Sequence, residues 1–284
     1  MSSNAQRLID TIRGYGSCAV AFSAGVDSTV VAKAAQLALG DRAVAVTGSS
    51  ESLPEGELEA ARELARQIGI RHEVLQTDEM AAAAYVQNGP DRCYFCKTEL
   101  YTQIERLADR LGLATIANGA NLDDTADYRP GMTAAAEHRV RSPLVECELR
   151  KADVRALAAE WGLAIWDKPA APCLSSRLAY GEEVTPERLA MIDRAEQYLR
   201  SLGLREVRVR YHRGDMARLE VPPEALERLC EPAARAALVA ELRRLGFRYI
   251  TLDLEGFRSG SQNLVLVPLA DLKTNDSPQR HEGH

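Results

Sequence analysis

No stretch of the chain approaches the roughly 18 consecutive apolar residues of a membrane span. The opening residues, MSSNAQRLIDTIRGYG, carry neither the apolar core nor the cleavage site of a secretory leader. Both absences predict a cytoplasmic protein. Cysteine is sparse: six in 284 residues do not make a disulfide scaffold, and in a reducing compartment a C-x-x-C pair reads as metal or redox chemistry. Positive charge is not in excess. The formal net charge of −6 argues against a broad nucleic-acid-binding surface while leaving room for a local basic patch. There is no internal repeat. With 46% hydrophobic and 27% charged residues, the composition is ordinary for a globular chain with a proper core. The length suits one large or two modest domains.

The most informative stretch is Ser23-Ala24-Gly25-Val26-Asp27-Ser28, between the apolar run Cys18–Phe22 and a helical stretch reaching Leu39. Strand, Ser/Gly-rich loop, then helix is the arrangement in which N–H groups at a helix start cradle phosphates. The spacing is not that of G-x-x-x-x-G-K-[ST], and no lysine stands where that motif needs one. The run is similar instead to the SGGxDS signature of PP-loop ATP pyrophosphatases, with Ala24 in place of the first glycine. Those enzymes cleave ATP between the α and β phosphates and leave AMP on an oxygen of the substrate. A chance Ser/Gly turn is the plainer alternative.

Strand and helix alternate through the first half. Strands are predicted at Cys18–Phe22, Ala43–Gly48, His72–Gln76 and Ala114–Asn118. Helices are predicted at Val26–Leu39, Pro54–Gly69, Lys97–Leu111, Asp123–Ala136 and Lys151–Trp161. The pattern predicts an α/β fold, a parallel sheet with helices on both faces. Ligands of such sheets bind beyond the carboxyl ends of the strands. Ser23–Ser28, Gly48–Glu51 and Asn118–Asp124 emerge there. Ile165–Val184 is rich in breakers and reads as a junction. Thr185-Pro186 then starts a helix to about Leu202, with Thr as N-cap. Strands at Glu206–Tyr211, Ala217–Val221 and Arg248–Asp253, with helices at Pro223–Cys230 and Pro232–Leu245, predict a small α+β domain. The expected division is 1–168 for the sheet domain, 169–184 for the junction, 185–271 for the small domain, and a polar disordered tail over 272–284.

Cys93-Tyr94-Phe95-Cys96-Lys97 stands just before a predicted helix, where the helix dipole and Lys97 should lower thiol pKa values. Two semi-buried cysteines with no joint role are the plainer reading. A zinc ribbon would need a second C-x-x-C or a His pair, and neither is present: the other cysteines are single, and His281 and His284 lie in the tail. Cys173, in Pro172-Cys173-Leu174-Ser175-Ser176-Arg177, supplies a third thiol over the expected crevice. Three thiolates with a fourth position open describe a 4Fe–4S cluster with one iron lacking a protein ligand. Alternatively, Cys173 acts alone as a nucleophile, activated by Arg177 and Lys168. Cys18, Cys147 and Cys230 read as packing residues.

SAGVDS, CYFCK, NGANLDDTADYRPG (Asn118–Gly131), PCLSSRLAYGEEVT (Pro172–Thr185), VRVRYHRGDMARLEV (Val207–Val221) and LDLEGFRSGSQN (Leu252–Asn263) together resemble the LarE family. These are ATP-dependent sulfur transferases that thiolate the pyridinium dicarboxylate precursor of the nickel-pincer nucleotide cofactor. The likeness reaches to about residue 270. It implies a PP-loop domain, a small C-terminal domain, and a homo-oligomer, often a hexamer. Some members give up the sulfur of one cysteine, aligned with Cys173, and others hold a 4Fe–4S cluster on three. Cys93 and Cys96 put this chain with the cluster type.

By this resemblance Ser23, Gly25, Val26, Asp27 and Ser28 would cradle ATP phosphates, with Asp27 helping to hold Mg²⁺. Gly48, Ser49 and Ser50 would approach adenine and ribose, and Asp124 and Lys97 the phosphate or metal region. Ser176 and Arg177 would contact the substrate near the sulfur donor. Arg208, Arg210 and Arg258 would bind phosphate, although Arg208 and Arg210 read equally as an exposed strand face. Arg129 pairs equally well with Asp127 as a structural contact. Cys173, Asp27 and Lys97 form the expected catalytic set, with Cys93, Cys96 and Cys173 as metal ligands. The substrate is expected to be the pyridinium dicarboxylate mononucleotide, with no nucleic acid and no membrane as partner. The competing functions are a PP-loop tRNA thiolase, an amide-forming ligase of the NAD-synthetase or GMP-synthetase type, and a non-enzymatic nucleotide sensor.

Overall fold

Every position of Cys18–Ala21 (β1) is apolar and buried, as a strand covered on both faces requires. The computed structural model describes residues 2–126, 130–167 and 172–258. Ahead of β1 runs α1 (Ser3–Arg13), and after it come α2 (Val26–Leu39), β2 (Ala43–Ser49), α3 (Glu57–Ile68) and β3 (Arg71–Gln76). The chain continues through α4 (Ala83–Val86), α5 (Arg92–Leu111), β4 (Thr115–Ala117), α6 (Pro130–Glu137), α7 (Pro143–Glu146) and α8 (Lys151–Glu160). These strands form one parallel sheet in the order β3-β2-β1-β4, as the alternation predicts. Cys18 pairs with Ala43 on one side and Thr115 on the other. The chain thus builds outward from β1 in one direction and then crosses to its other side. That reversal opens a crevice between β1 and β4 at the carboxyl edge.

Alternation along β1 serves two cores. Cys18 and Val20 belong to a cluster with Leu8, Ile12, Val31 and Leu157 from α1, α2 and α8. Ala19 and Ala21 belong to a second, with Tyr101, Ile104 and Ala134 from α5 and α6. Among the described residues no helix is long and apolar enough to cross a membrane.

The structure departs from expectation at several helices. The first helix, α1, has no counterpart among the expected elements, yet its signals are ordinary: Ser2 caps it by accepting from the Ala5 amide, and Leu8, Ile9 and Ile12 face inward. Helix α5 begins at Arg92 rather than Lys97, so the C-x-x-C pair lies inside its first turns. The single helix expected over Asp123–Ala136 is instead a short 3₁₀ turn at Leu122–Ala126 followed by α6. Asn118 Oδ1 accepts from Ala120 N at 3.0 Å, Asn121 Oδ1 from Asp123 N at 3.0 Å and Asp124 Oδ2 from Asn121 N at 3.0 Å. These bonds shape the loop ahead of the 3₁₀ turn, and the second helix starts at Pro130, a residue that disfavours a helix running through it.

The chain divides into two compact units, Met1–Asp193 and Arg194–His284, and the division falls inside α9 (Pro186–Ser201). Thr185 caps that helix by accepting from Arg188 N at 3.3 Å. The second unit holds β5 (Arg208–His212) and β6 (Met216–Glu220), paired antiparallel. After α10 (Leu226–Cys230) and α11 (Pro232–Arg244), β7 (Tyr249–Leu252) joins β6 in parallel. The expected tail over 272–284 lies outside the described residues, as do Asp127, Arg129, Lys168 and Ser259–Asn263.

At the exit of β4 the backbone of Gly119 lies against the first turn of α2. A Cβ there would stand 2.6 Å from Ser28 N and 2.9 Å from Ser28 Cα. Both neighbours are backbone, so neither can turn aside. Gly119→Ala is expected to destabilise the fold by about 1–3 kcal/mol, as other overpacking does, read as a lower urea midpoint with unchanged slope. An unchanged midpoint would refute the close approach.

Candidate functional site

The loop after β1 is stapled by its own serines. Ser23 N donates to Ser28 Oγ at 3.2 Å, and Ser28 Oγ donates to the Gly25 carbonyl at 3.1 Å. Gly25 is the N-cap of α2 and no side chain caps the helix, while Val26, Asp27 and Ser28 form its first turn. The loop therefore presents helix amides of the kind that bind phosphate. Ala24, at the position of the signature's first glycine, adopts φ +54°. That left-handed conformation costs an alanine about 1–2 kcal/mol, and the fold holds it.

The β4 exit and the start of α8 close on this loop. Asn121 Nδ2 donates to Asp27 Oδ1 at 3.2 Å, and Lys151 Nζ pairs with Asp27 Oδ2 at 2.5 Å. Asp123 accepts from Lys151 N at 2.8 Å and from Arg150, fixing the start of α8 beside the loop. Asp124 holds the Asn121 amide. Beyond β2 and β3, Ser49, Ser50, Glu51, Gln76, Thr77 and Asp78 line a hollow of about 560 Å³. Gly48 lies below it, against Leu100 and Thr77. Another hollow, of about 380 Å³, lies among Gly16, Asp41, Arg42 and Leu113 near the starts of the strands, away from these loops.

The three thiols come from two elements. Cys93 is exposed, while Cys96 and Cys173 are half-buried. They lie within range of one another's charge: burial first, then Cys173, pushes the Cys96 thiol up to about 12, although Lys97 opposes the rise. This reverses the lowered thiol expected of a helix start. Arg92 is buried on the same helix and donates to the Ser175 carbonyl at 2.8 Å. Burial pulls its guanidinium down, but Cys173, Cys93 and Tyr85 raise it further, with a hydrogen bond to Cys93. Lys97 behaves alike: burial lowers it, while Tyr101 and the three thiols prevail and raise it.

The turn bearing Cys173 is held from within. Ser176 N and Oγ donate to the Cys173 carbonyl at 3.0 and 2.7 Å, and Arg177 donates to the carbonyls of Pro172 and Cys173. Arg177 is only 1% exposed, so it lies beneath the turn as a positioning residue rather than at an open surface. Tyr85 and Ser175 share a hydrogen bond of 2.6 Å, and Asn88 donates to the Ala179 carbonyl at 2.8 Å. Among the described residues no three His, Cys, Asp or Glu side chains are gathered as tightly as a single metal ion needs. A four-iron cluster is larger and takes thiolates at separate corners. The donor chemistry suits it: three thiols sharing one field, with Arg92 and Lys97 as cations against them.

In the second unit Arg208 and Arg210 are 9% and 5% exposed, which overturns the reading of an exposed strand face. Arg210 pairs with the fully buried Glu220 at 2.9 Å, and Arg218 reaches the same carboxylate at 3.1 Å. Arg208 stacks on Phe257 at 5.1 Å, and Arg258 pairs with Glu255.

Lys151, Asn121, Gly119, Arg92 and Glu79 were not singled out by sequence reasoning. Gly119, Asn121 and Asp123 stand inside the quoted stretch Asn118–Gly131, where small and Asx residues after a strand were the available signal. Lys151 carries no such signal, since only the fold brings α8 to the loop.

Comparison with known proteins gives four findings. The NAD synthase family profile matches residues 7–104. The chain is 40% identical to the pyridinium-3,5-bisthiocarboxylic acid mononucleotide synthase of Lactiplantibacillus plantarum over 92% of this chain and 94% of that protein. It is 50% identical to an uncharacterized protein of Synechocystis sp. over 87% of this chain and 92% of that one. A tRNA-specific 2-thiouridylase of Xanthobacter autotrophicus matches at 33% over 53% of this chain and 48% of its own length.

The raised Cys96 thiol has a direct readout. At pH 8 a thiol titrating at about 12 is ionised to roughly one part in ten thousand. Iodoacetamide at pH 8 should label the exposed Cys93 well before Cys96 in metal-free protein, with Cys96 labelling still climbing above pH 10. Peptide mass spectrometry distinguishes the two sites. Equal rates at pH 8 would contradict the assignment.

Proposed function

The chain belongs to the LarE family of PP-loop enzymes, and we propose that it uses ATP to convert the carboxylates of pyridinium-3,5-biscarboxylic acid mononucleotide to thiocarboxylates. Family membership makes it an ATP-using sulfurtransferase. One observation carries the finer reading. Leu174 N, next to Cys173, donates to the carbonyl of Ser52 at 2.9 Å, in the loop leading from the hollow after β2. A thiol is thereby kept beside the loop that would hold nucleotide.

A carboxylate resists a nucleophile because it is anionic and has no good leaving group. Its oxygen would attack the α-phosphorus of ATP, forming an acyl-adenylate and releasing pyrophosphate. The amides at the start of α2 stabilise the charge that gathers on the phosphates. Lys151, held beside Asp27, adds a cation there. Asp27 and Asp124 would hold Mg²⁺, which would supply further charge neutralisation on the phosphates. A sulfur nucleophile then displaces AMP from the acyl carbon, leaving a thiocarboxylate.

Cys93, Cys96 and Cys173 would hold a 4Fe–4S cluster, which when bound supplies an iron free of protein ligands for an exogenous sulfide. Arg92 and Lys97 offset the thiolate charge, and the buried Arg177 keeps the Cys173 turn in shape. In the sacrificial alternative Cys173 attacks the adenylate itself, and its sulfur leaves by C–S cleavage. Arg208, Arg210 and Arg258 belong to the proposal as phosphate contacts, with Glu220 holding Arg210 ready.

With the mononucleotide present, the protein should convert ATP to AMP and pyrophosphate, and Asp27→Ala should lower that rate by about a hundredfold or more. Release of ADP and phosphate would overturn the PP-loop reading. Replacing any one of Cys93, Cys96 or Cys173 by Ala should remove most iron after anaerobic reconstitution and stop sulfur transfer, while adenylation survives. Loss of one sulfur and two hydrogens at Cys173, with no iron bound, would assign the sacrificial route.

A further inference from the structure

Glu79 is a carboxylate only 3% exposed, on a short 3₁₀ turn at Glu79–Ala81. One of its oxygens accepts from Ser50 Oγ at 2.6 Å and from Ser52 Oγ at 2.7 Å. The two hydroxyls are 2.9 Å apart, and Ser52 N donates to Ser50 Oγ at 3.3 Å. A buried carboxylate without such donors would be strongly unfavourable, so the loop and the carboxylate hold one another in place. Ser50 also lines the hollow beyond β2. At the other end of the same short loop, the Ser52 carbonyl accepts from Leu174 N at 2.9 Å.

We propose that Glu79 is a positioning residue that couples nucleotide occupancy of the hollow to the placement of Cys173. The path is short and made of consecutive hydrogen bonds. A ligand that draws Ser49 or Ser50 toward itself moves the hydroxyl fastened to Glu79. Ser52 shares that fastening, and its carbonyl carries the amide adjoining Cys173. A pull on Leu174 N reaches Cys173 itself, because Ser176 and Arg177 bond the Cys173 carbonyl and keep that end of the turn stiff. The other side of the turn is anchored through Ser175, which bonds Tyr85 and Arg92, and the segment beyond it through Asn88. The Ser52–Leu174 bond is a link on the nucleotide side. The sulfur-bearing turn would thereby respond to whether an adenylate can form beside it. This inference rests on the reading of the hollow as a nucleotide site.

The test uses the full-length metal-free protein, a non-hydrolysable ATP analogue with Mg²⁺, and N-ethylmaleimide. Calorimetry establishes binding, and peptide mass spectrometry follows alkylation of Cys173, with the exposed Cys230 as internal control. Saturating analogue should change the Cys173 rate by about fivefold or more in the wild-type protein and leave Cys230 unmoved. In Glu79→Ala that response should fall below about twofold, while Glu79→Gln, which keeps an oxygen acceptor, should retain most of it. If Glu79→Ala does not fold, Ser52→Ala makes the same comparison and should lose at least half of the response. An unchanged Cys173 rate with analogue bound, or a full response in Glu79→Ala or Ser52→Ala, overturns the coupling and leaves the nucleotide site standing. Failure of the wild-type protein to bind the analogue overturns both.

Discussion

A Cβ on residue 119 would stand 2.6 Å from the Ser28 amide nitrogen, so the β4 exit and the α2 start meet backbone to backbone. Much of the carboxyl edge follows from that contact. With no side chain between them, the Asn118–Asp124 loop lies close enough for Asn121 to reach Asp27. The same loop sends Asp123 to the amide of Lys151, which turns the start of α8 toward Asp27 and completes its ion pair. An acidic residue, an amide and a cation from three segments distant in sequence are thus assembled by one absence of bulk.

The thiol site illustrates a contest that magnitudes decide. A helix terminus is worth about 1 kcal/mol or less to a nearby charge. Moving a thiol from 9.0 to about 12 corresponds to about 4 kcal/mol against ionisation. Burial and a neighbouring thiolate therefore outweigh the dipole at Cys96, even with Lys97 adjacent. The two neighbouring cations, the buried Arg92 and the half-buried Lys97, make sense in that light. Three thiolates together would repel one another, and these cations offset that repulsion.

Legibility in the sequence followed the range of the interactions. The sheet was readable because β1, β2 and β4 are short apolar runs ended by small or polar residues, a local signal. The PP-loop was readable for the same reason, since Ser23, Gly25 and Ser28 bond to one another within six residues. The Asp123–Ala136 span was read as one helix from its pattern, although Pro130 inside it, where α6 begins, is a residue that disfavours a continuous helix. The partners of Asp27 and the burial of Arg177, Arg208 and Arg210 were hidden for a different reason. Charged residues are usually exposed, and only contacts that the fold creates, such as Glu220 against Arg210, reverse that. Glu79 stood in an unremarkable acidic stretch, Asp78-Glu79, with nothing nearby to mark it as buried.

Ala24 adopts a backbone torsion of +54° at a place where the signature writes glycine. The loop therefore demands a dihedral angle, and the letter is only the commonest way of supplying it. Surrounding bonds from Ser23 and Ser28 hold the turn, so a single methyl is tolerated at modest cost. A β-branched residue would not be, because its side chain would clash in that conformation. Chains that depart from the motif at this position should thus be sorted by whether the new residue can turn left-handed. A pattern that insists on glycine would pass over such loops, although their amides point where the motif would have put them.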